Sequence, residues 1–479
     1  MDWISLWELL TGMTTENEFC TLSAQEMLRA YADKSLSPVD VMKAHLKRAE
    51  RANPDINALF SLRAESALKH ARASQDRWVR NAPQGPLDGV PVLLKDSIKC
   101  IGFDYFHGSA GYLGTPATED APPAARVKEA GGIIFAKTTM PDFGMLAAGV
   151  SSQFGVVRNP WNPQTNPGGS SAGSGAAVAA GIAPLAVGTD IAGSVRLPAA
   201  QNGLAGLKPS RGRIPHLQPS PLRAAGPMAR STDDAGLLMS VLIQPDARDY
   251  ESLPAIDELP FCRLSETPEN FMRGARIGLM LDMGFGRALD NRVKDAVTSA
   301  AQLFEQAGAD VELVPTLVDE DPMPPLNLFL QSRAHTELMS LPEARRHLVL
   351  PHLIEWSRRI ELASASDLSC ALYKLEDFKA RVTAVLAPYD FVISPTLSDV
   401  HFPAEAYGAD DEDHFAHCNF AIPFNQTGAP AHVVCCGFID GMPVGIQIAG
   451  RRHDDLGVMQ AGAVFERLAG LDMPWPYGT

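Results

Sequence analysis

Cysteine is scarce in this chain. Its 479 residues include seven, at positions 20, 100, 262, 370, 418, 435 and 436, and no two are spaced as C-x-x-C. An odd number without that spacing excludes a disulfide framework and a zinc knuckle, and it suits a reduced, intracellular setting. Positive charge is short as well. Lys and Arg total 41 against 56 Asp and Glu, a formal net charge of −15. No clustered basic tail is present to neutralise phosphates, so nucleic acid is not an expected partner. Long apolar runs are missing too: the stretch from Ala176 to Gly188 is too short to cross a bilayer and contains Pro184. The opening MDWISLWELLTGM carries Asp2 and Glu8 and has no Lys or Arg before Arg29. It lacks the basic start of a signal peptide, and the cytoplasm is the expected location, without membrane contact. No tandem repeat is visible.

What is present is enough apolar sequence, 46% of residues, for a large core. Residues 1–80 read as helical. Ser23 with Glu26 forms a capping box, and Ser37-Pro38-Val39-Asp40 opens a helix with Pro at its first position. Short apolar runs then alternate with helical patterns. Val90–Leu94, Gly132–Ala136, Ala275–Leu281, Val311–Pro315, Asp390–Ser394, His432–Gly437 and Pro443–Ala449 are the expected strands. Helices are expected at Pro123–Ala130, 289–307 and 455–469. This alternation predicts an α/β fold, with a large mixed, mostly parallel sheet covered by helices on both faces. No linker divides residues 1–479, so a single domain is expected, with a helical insertion at 323–386 shaping the substrate pocket.

The chemistry concentrates in two loops. Gly168-Gly169-Ser170-Ser171-Ala172-Gly173-Ser174-Gly175 precedes a small-residue helix, and Gly188-Thr189-Asp190-Ile191-Ala192-Gly193-Ser194-Val195-Arg196 follows it. Gly- and Ser-rich backbone lets N–H groups converge on an anion. A phosphate-binding P-loop is excluded, because the Lys of G-x-x-x-x-G-K-[ST] is missing. Gly169-Ser170-Ser171-Ala172-Gly173 fits the G-x-S-x-G elbow, but the NPWNPQTNP before it cannot supply the required strand. A lysine offers a third reading. Lys95 ends the apolar run Val92-Leu93-Leu94, and burial there would lower its pKa. Keeping it neutral near pH 7 requires roughly 4–5 kcal/mol of bias against the ammonium form.

Lys95 in its strand, GGSSAGSG at 168–175 and GTDIAGSVRLPA at 188–199 together resemble the amidase signature family of Ser–Ser–Lys hydrolases. The resemblance extends to NPWNP, PFNQTGAPA and MPVGIQIAG, and covers roughly residues 20–470. It implies Lys95 as general base, Ser170 as bridging serine on a cis peptide bond, and Ser194 as nucleophile. It implies an oxyanion hole from the N–H groups of Ile191, Ala192, Gly193 and Ser194, with Ser171, Asp190 and Arg196 in support. Ala172 and Ala192 stand where the family usually has glycine, and Ala192 is expected to keep an ordinary φ. The implied reaction is hydrolysis of a carboxamide C–N bond through an acyl-enzyme, extending to anilides, esters or carbamates. No metal or cofactor is implied. The alternative within the same resemblance is the glutaminase-type subunit of a tRNA-dependent amidotransferase.

Other patterns carry less. Ser66 and Lys69 fit S-x-x-K, but the companion SDN and KTG motifs are missing. Asp410-Asp411-Glu412-Asp413-His414 with His417 meets no ligand spacing and reads as an acidic solvated loop. Lys208, Arg211, Arg213, Arg223 and Arg230 read as a solvated, proline-diluted loop, and Cys435 and Cys436 as core. Substrate walls are expected from Tyr105–Leu113, Met140–Val150 and 323–360. Phe106, Tyr112, Phe143, Met145, Leu326 and Phe329 make these apolar, with Phe143, Met145 and Gly169 as candidate contacts. No Arg clamp is evident, so a hydrophobic or aromatic small-molecule amide is the expected substrate. A homodimer is the expected assembly.

Overall fold

A computed structural model describes residues 16–217 and 220–476. The localisation argument from MDWISLWELLTGM and the first fifteen residues of the expected helical segment lie outside these. Among the described residues no helix is long and apolar enough to cross a membrane.

Eleven strands form one mixed sheet in the spatial order Leu59–Phe60, Ile133–Thr138, Pro91–Lys95, Leu185–Asp190, Ala224–Ala229, Ala205–Lys208, Ala431–Ile439, Met442–Gly450, Phe391–Pro395, Arg276–Leu279 and Asp310–Leu313. The expected strands are all there, within a few residues of their expected ends. The expected preponderance of parallel pairing is corrected. Pairing is parallel at four contacts towards the two flanks and antiparallel at the other six, including the whole centre. The cause is hairpin-like returns in the middle: Ala431–Ile439 turns straight into Met442–Gly450, and a two-residue turn permits only antiparallel pairing.

Alternation along each strand feeds two cores. Leu93 joins one apolar cluster, and Val92 and Leu94 the other; Ala186 and Val433 take the first side, Leu185, Val187 and Val434 the second. Helix Ala172–Ala179 packs on the first side, and helices Thr232–Leu242, Asn291–Gln306 and Asp455–Ala469 on the second. Both faces are therefore covered. Lys95 shares the parity of Leu93, so the strand directs it to the same side as helix Ala172–Ala179.

The N-terminal helices form as expected: Ser23 and Glu26 make the reciprocal capping box, and Pro38 starts a helix capped by Ser37. The segment from Met323 to Leu386 is helical nearly throughout. The reading of residues 208–230 as a solvated loop is corrected. Lys208 and Arg213 are buried, Arg213 faces Asp455 at 3.3 Å, and Ala224–Ala229 is a central strand. Pro227 disguised that strand. The strand pairs along its whole length with Leu185–Asp190, Pro227 lying opposite Val187, and with Ala205–Lys208 only at Met228 and Ala229. The Asp410–His417 segment is corrected similarly: His414 and His417 are buried, and His414 packs edge-on against Trp356.

Phe304 is fully buried in the second cluster, stacked on Phe465 with ring centroids 5.5 Å apart. Phe304→Ala is expected to lower unfolding free energy by about 3–5 kcal/mol, measured by urea titration. A loss under 1 kcal/mol would mean that this helix pair is not tightly packed.

Candidate active site

Lys95 is completely buried at the end of its strand. Its Nζ donates to Ser170 Oγ at 2.7 Å, to Thr189 Oγ1 at 3.0 Å and to the Thr189 carbonyl at 3.4 Å. Burial drives its pKa well below the usual lysine value; the Asp190 charge opposes this shift, and the Arg223 charge adds to it. Thr189, absent from the candidates drawn from sequence, is the missed member of this cluster. Its signal was available, since it precedes Asp190 in the second Gly-rich loop.

Ser170 follows a cis Gly169–Ser170 peptide. Gly169 is pressed so closely on Ala148 that a Cβ would lie 2.4 Å from the Ala148 carbonyl oxygen. Its role is thus close backbone packing. Ser171 joins the two loops: its Oγ donates to the Thr189 carbonyl at 3.2 Å and accepts from the Thr189 N–H at 3.3 Å, while its own N–H donates to the Ser194 carbonyl at 3.2 Å. No direct hydrogen bond joins Ser170 to Ser194 among the described residues. Such a contact often tightens only when substrate is bound.

Asp190 organises the Ser194 loop. Its carboxylate accepts from the N–H groups of Gly193 (2.8 Å), Val195 (3.1 Å) and Arg196 (3.5 Å). Arg196 forks onto it with two bonds of 3.0 Å, and both side chains are fully buried. Burial alone would raise the Asp190 pKa, but Arg196 and a 2.8 Å bond from Asn425 hold it well below the carboxylate range. Arg196 in turn donates to Asn425 Oδ1, Gln447 Oε1 and the Ala421 carbonyl. These contacts account for PFNQTGAPA and MPVGIQIAG: each supplies a side chain that holds Arg196.

The backbone amides refine the expected oxyanion hole. Of the four amides expected to donate, that of Gly193 is already engaged by Asp190. The N–H groups of Ile191, Ala192 and Ser194 donate to no group among the described residues. Gly193 has φ +115° and a Cβ would meet Ala421 and Leu197 at 2.8 Å, so only glycine fits there. Ala192 has no positive φ.

Beside this centre lies a cavity of about 680 Å³, lined by residues including Lys99, Tyr105, His107, Tyr112, Arg223, Arg333 and Glu337. Phe143 packs against both His107 and Tyr112 at ring distances of 6.3 Å, and Gly144 lies against Ser170. Phe143 and Met145 are both buried. No Arg clamp was evident in the sequence, but Arg223 and Arg333, far apart in the chain, both line this cavity. Ser66 and Lys69 are exposed on a surface helix, away from the cluster. Among the described residues no group of three or more His, Cys, Asp or Glu side chains is arranged to hold a metal ion.

The amidase family profile matches residues 40–459. The chain belongs to the amidase signature family. It is 31% identical to an acylamidase of Rhodococcus erythropolis, over 96% of this chain and 97% of that protein. It is also 31% identical to a glutamyl-tRNA(Gln) amidotransferase subunit of Chloroflexus aggregans, over 95% and 97%. A crystal structure of a bacterial aryl acylamidase superposes with a TM-score of 0.87 at 27% identity, covering 96% of this chain and 99% of that one. The structure of a 6-aminohexanoate cyclic dimer hydrolase with its substrate gives 0.84 at 26%, covering 96% and 100%. Membership and these acylamidase relatives make the chain an amide-hydrolysing enzyme.

Asp190→Asn leaves the Arg196 charge buried without its counter-ion. A loss of about 3–5 kcal/mol is expected, read by chemical denaturation, and adding Arg196→Met should recover part of it. The native Asp190 pKa is depressed, so its contribution is complete above the unfolded value of about 3.9 and is lost as pH falls towards the native one. Acid unfolding of the wild type should therefore steepen below about pH 4 relative to the Asn variant.

Proposed function

We propose that the chain is a stand-alone acylamidase, using Ser194 as nucleophile, Ser170 as proton bridge and Lys95 as general base. The 2.7 Å contact between a fully buried lysine and Ser170 carries this reading. A neutral Lys95 has two N–H bonds and one lone pair. It can keep its Thr189 contacts while accepting the Ser170 proton, as Ser170 accepts that of Ser194. The Ser194 oxygen then attacks the amide carbonyl. Oxyanion charge falls to the unengaged N–H groups of Ile191, Ala192 and Ser194. The relay runs backwards to protonate the departing amine, giving an acyl-enzyme on Ser194. Water then repeats the sequence and frees the acid.

The rings of Tyr105, Tyr112 and Phe143 beside the centre favour an amide with an aryl or other hydrophobic group, and anilides, esters and carbamates fit the same chemistry. The aryl acylamidase likeness supports the same choice. A second reading, a glutaminase-type subunit that works with a partner, has the support of the equally similar amidotransferase relative. Ammonia release from glutamine, together with co-purification of a second protein, would favour it over anilide hydrolysis by the isolated chain.

Ser194→Ala, Ser170→Ala and Lys95→Ala are each expected to lower kcat by about three to six orders of magnitude, with the triple variant no worse than the worst single one. Wild-type turnover in Ser194→Ala would end the assignment. The pH profile tests the base separately. The active form is the neutral amine, so kcat/KM should rise with pH through one deprotonation, with a midpoint well below 10.5, because burial lowers the Lys95 pKa. Any residual Lys95→Ala activity should lack that limb.

A further inference from the structure

The cavity beside the centre is charged in a way that hydrolysis of a neutral amide does not use. Three cationic side chains, Lys99, Arg223 and Arg333, line it with one carboxylate, Glu337. That carboxylate is engaged: it accepts from Tyr112 at 3.0 Å and is paired with His107. Lys99 lies over the Tyr105 ring at 5.5 Å, and the Glu337 charge reaches both arginines, but most of the guanidinium donors are left unused. Among the described residues the Arg223 guanidinium makes no hydrogen bond or ion pair. Arg333 donates one bond of 2.6 Å to Ser220, while its Nε is buried without a partner. Arg223 and Arg333 also act on one another as like charges. A guanidinium pair lining an open cavity, with unused donors, is a fork built for an anion, and a carboxylate fits its planar geometry.

The cavity is tied to the catalytic residues by Phe143, whose ring packs on His107 and Tyr112, and by Gly144 against Ser170. The cavity wall at His107 and Tyr112 is thus joined to Ser170 through Phe143 and Gly144. We infer that Arg223 and Arg333 receive a carboxylate carried by the substrate, so that the favoured substrates are amides with a negative charge on the acyl or the amine side. This rests on the hydrolytic reading above and refines it: the rings flank the scissile group, and the arginines select the charge.

Matched anilides test it. N-phenylsuccinamate against butyranilide places the charge on the acyl side, and para-acetamidobenzoate against acetanilide places it on the amine side. In at least one pair the wild type should favour the carboxylate by about 10- to 100-fold in kcat/KM. Arg223→Gln should bring that ratio close to one, mainly through KM, and Arg223→Lys should restore part of it. An unchanged ratio in Arg223→Gln, with equal losses on both members, would overturn the inference. So would a wild-type ratio near one in both pairs. Binding to Ser194→Ala, followed by calorimetry, separates recognition from turnover. Selective binding of a carboxylated anilide without wild-type hydrolysis overturns the hydrolytic reading alone. Equal affinity for charged and uncharged members, or no binding of either carboxylated compound at millimolar concentration, overturns the inference.

Discussion

The buried Asp190–Arg196 pair is the constraint on which the rest of the site depends. One carboxylate holds the Ser194 loop through three backbone N–H groups, and the guanidinium that neutralises it reaches Asn425, Gln447 and the Ala421 carbonyl. Two ions removed from water are tolerable only when every remaining donor and acceptor is matched. Here they are matched by segments more than two hundred residues apart. The Ser194 loop is thus fastened to the C-terminal strands, and the sheet cannot be built correctly without also shaping the loop.

The same pair bears on the lysine. A free Asp190 carboxylate would favour the ammonium form of Lys95 and work against its use as a base. The Asp190 charge remains the largest influence opposing the shift, although the carboxylate is bonded twice by Arg196. Burial nonetheless dominates, with Arg223 acting in the same direction. Neighbouring Lys208 shows the same balance, its pKa lowered to about 7 by burial and then by Arg196. For both lysines burial is the larger cause, and the neighbouring charges modulate it.

The cluster of Lys95, Ser170 and Ser194 proposed as the triad, and the Asp190–Arg196 pair beside it, were legible in the sequence because they are local. Lys95 closes an apolar run, and Ser170 and Ser194 sit in two short loops whose small residues have few other uses. Most of the sheet was legible for the same reason, as alternation and turn residues mark strand ends. What sequence missed has one physical cause, which is that tertiary context overrode local pattern. Pro227 hid a central strand that nonetheless pairs across it with Leu185–Asp190. Gly193 looked like an oxyanion donor until Asp190, three residues earlier in the chain, was seen to claim its N–H. The residues that brace Arg196 acquire their roles only from contacts between distant segments.

The substrate cavity shows the limit most clearly. Tyr105, His107 and Tyr112 come from the loop after the Lys95 strand, Arg223 from the entry to a central strand, and Arg333 and Glu337 from one face of the helix Met323–Ser340. Read singly, the rings suggest an apolar pocket and the arginines a solvated surface. Both inferences treat each segment as if its neighbours were water. Folding replaces that water with the other segments, and the composition of the wall becomes rings plus guanidinium donors left unused. A helix carries Arg333 and Glu337 at i and i+4, which in isolation would form an ordinary surface ion pair. His107 and Tyr112 take up the carboxylate instead, and the arginine is left facing the cavity. The charge of this wall depends on which partner engages Glu337, a contest that no local stretch of sequence records.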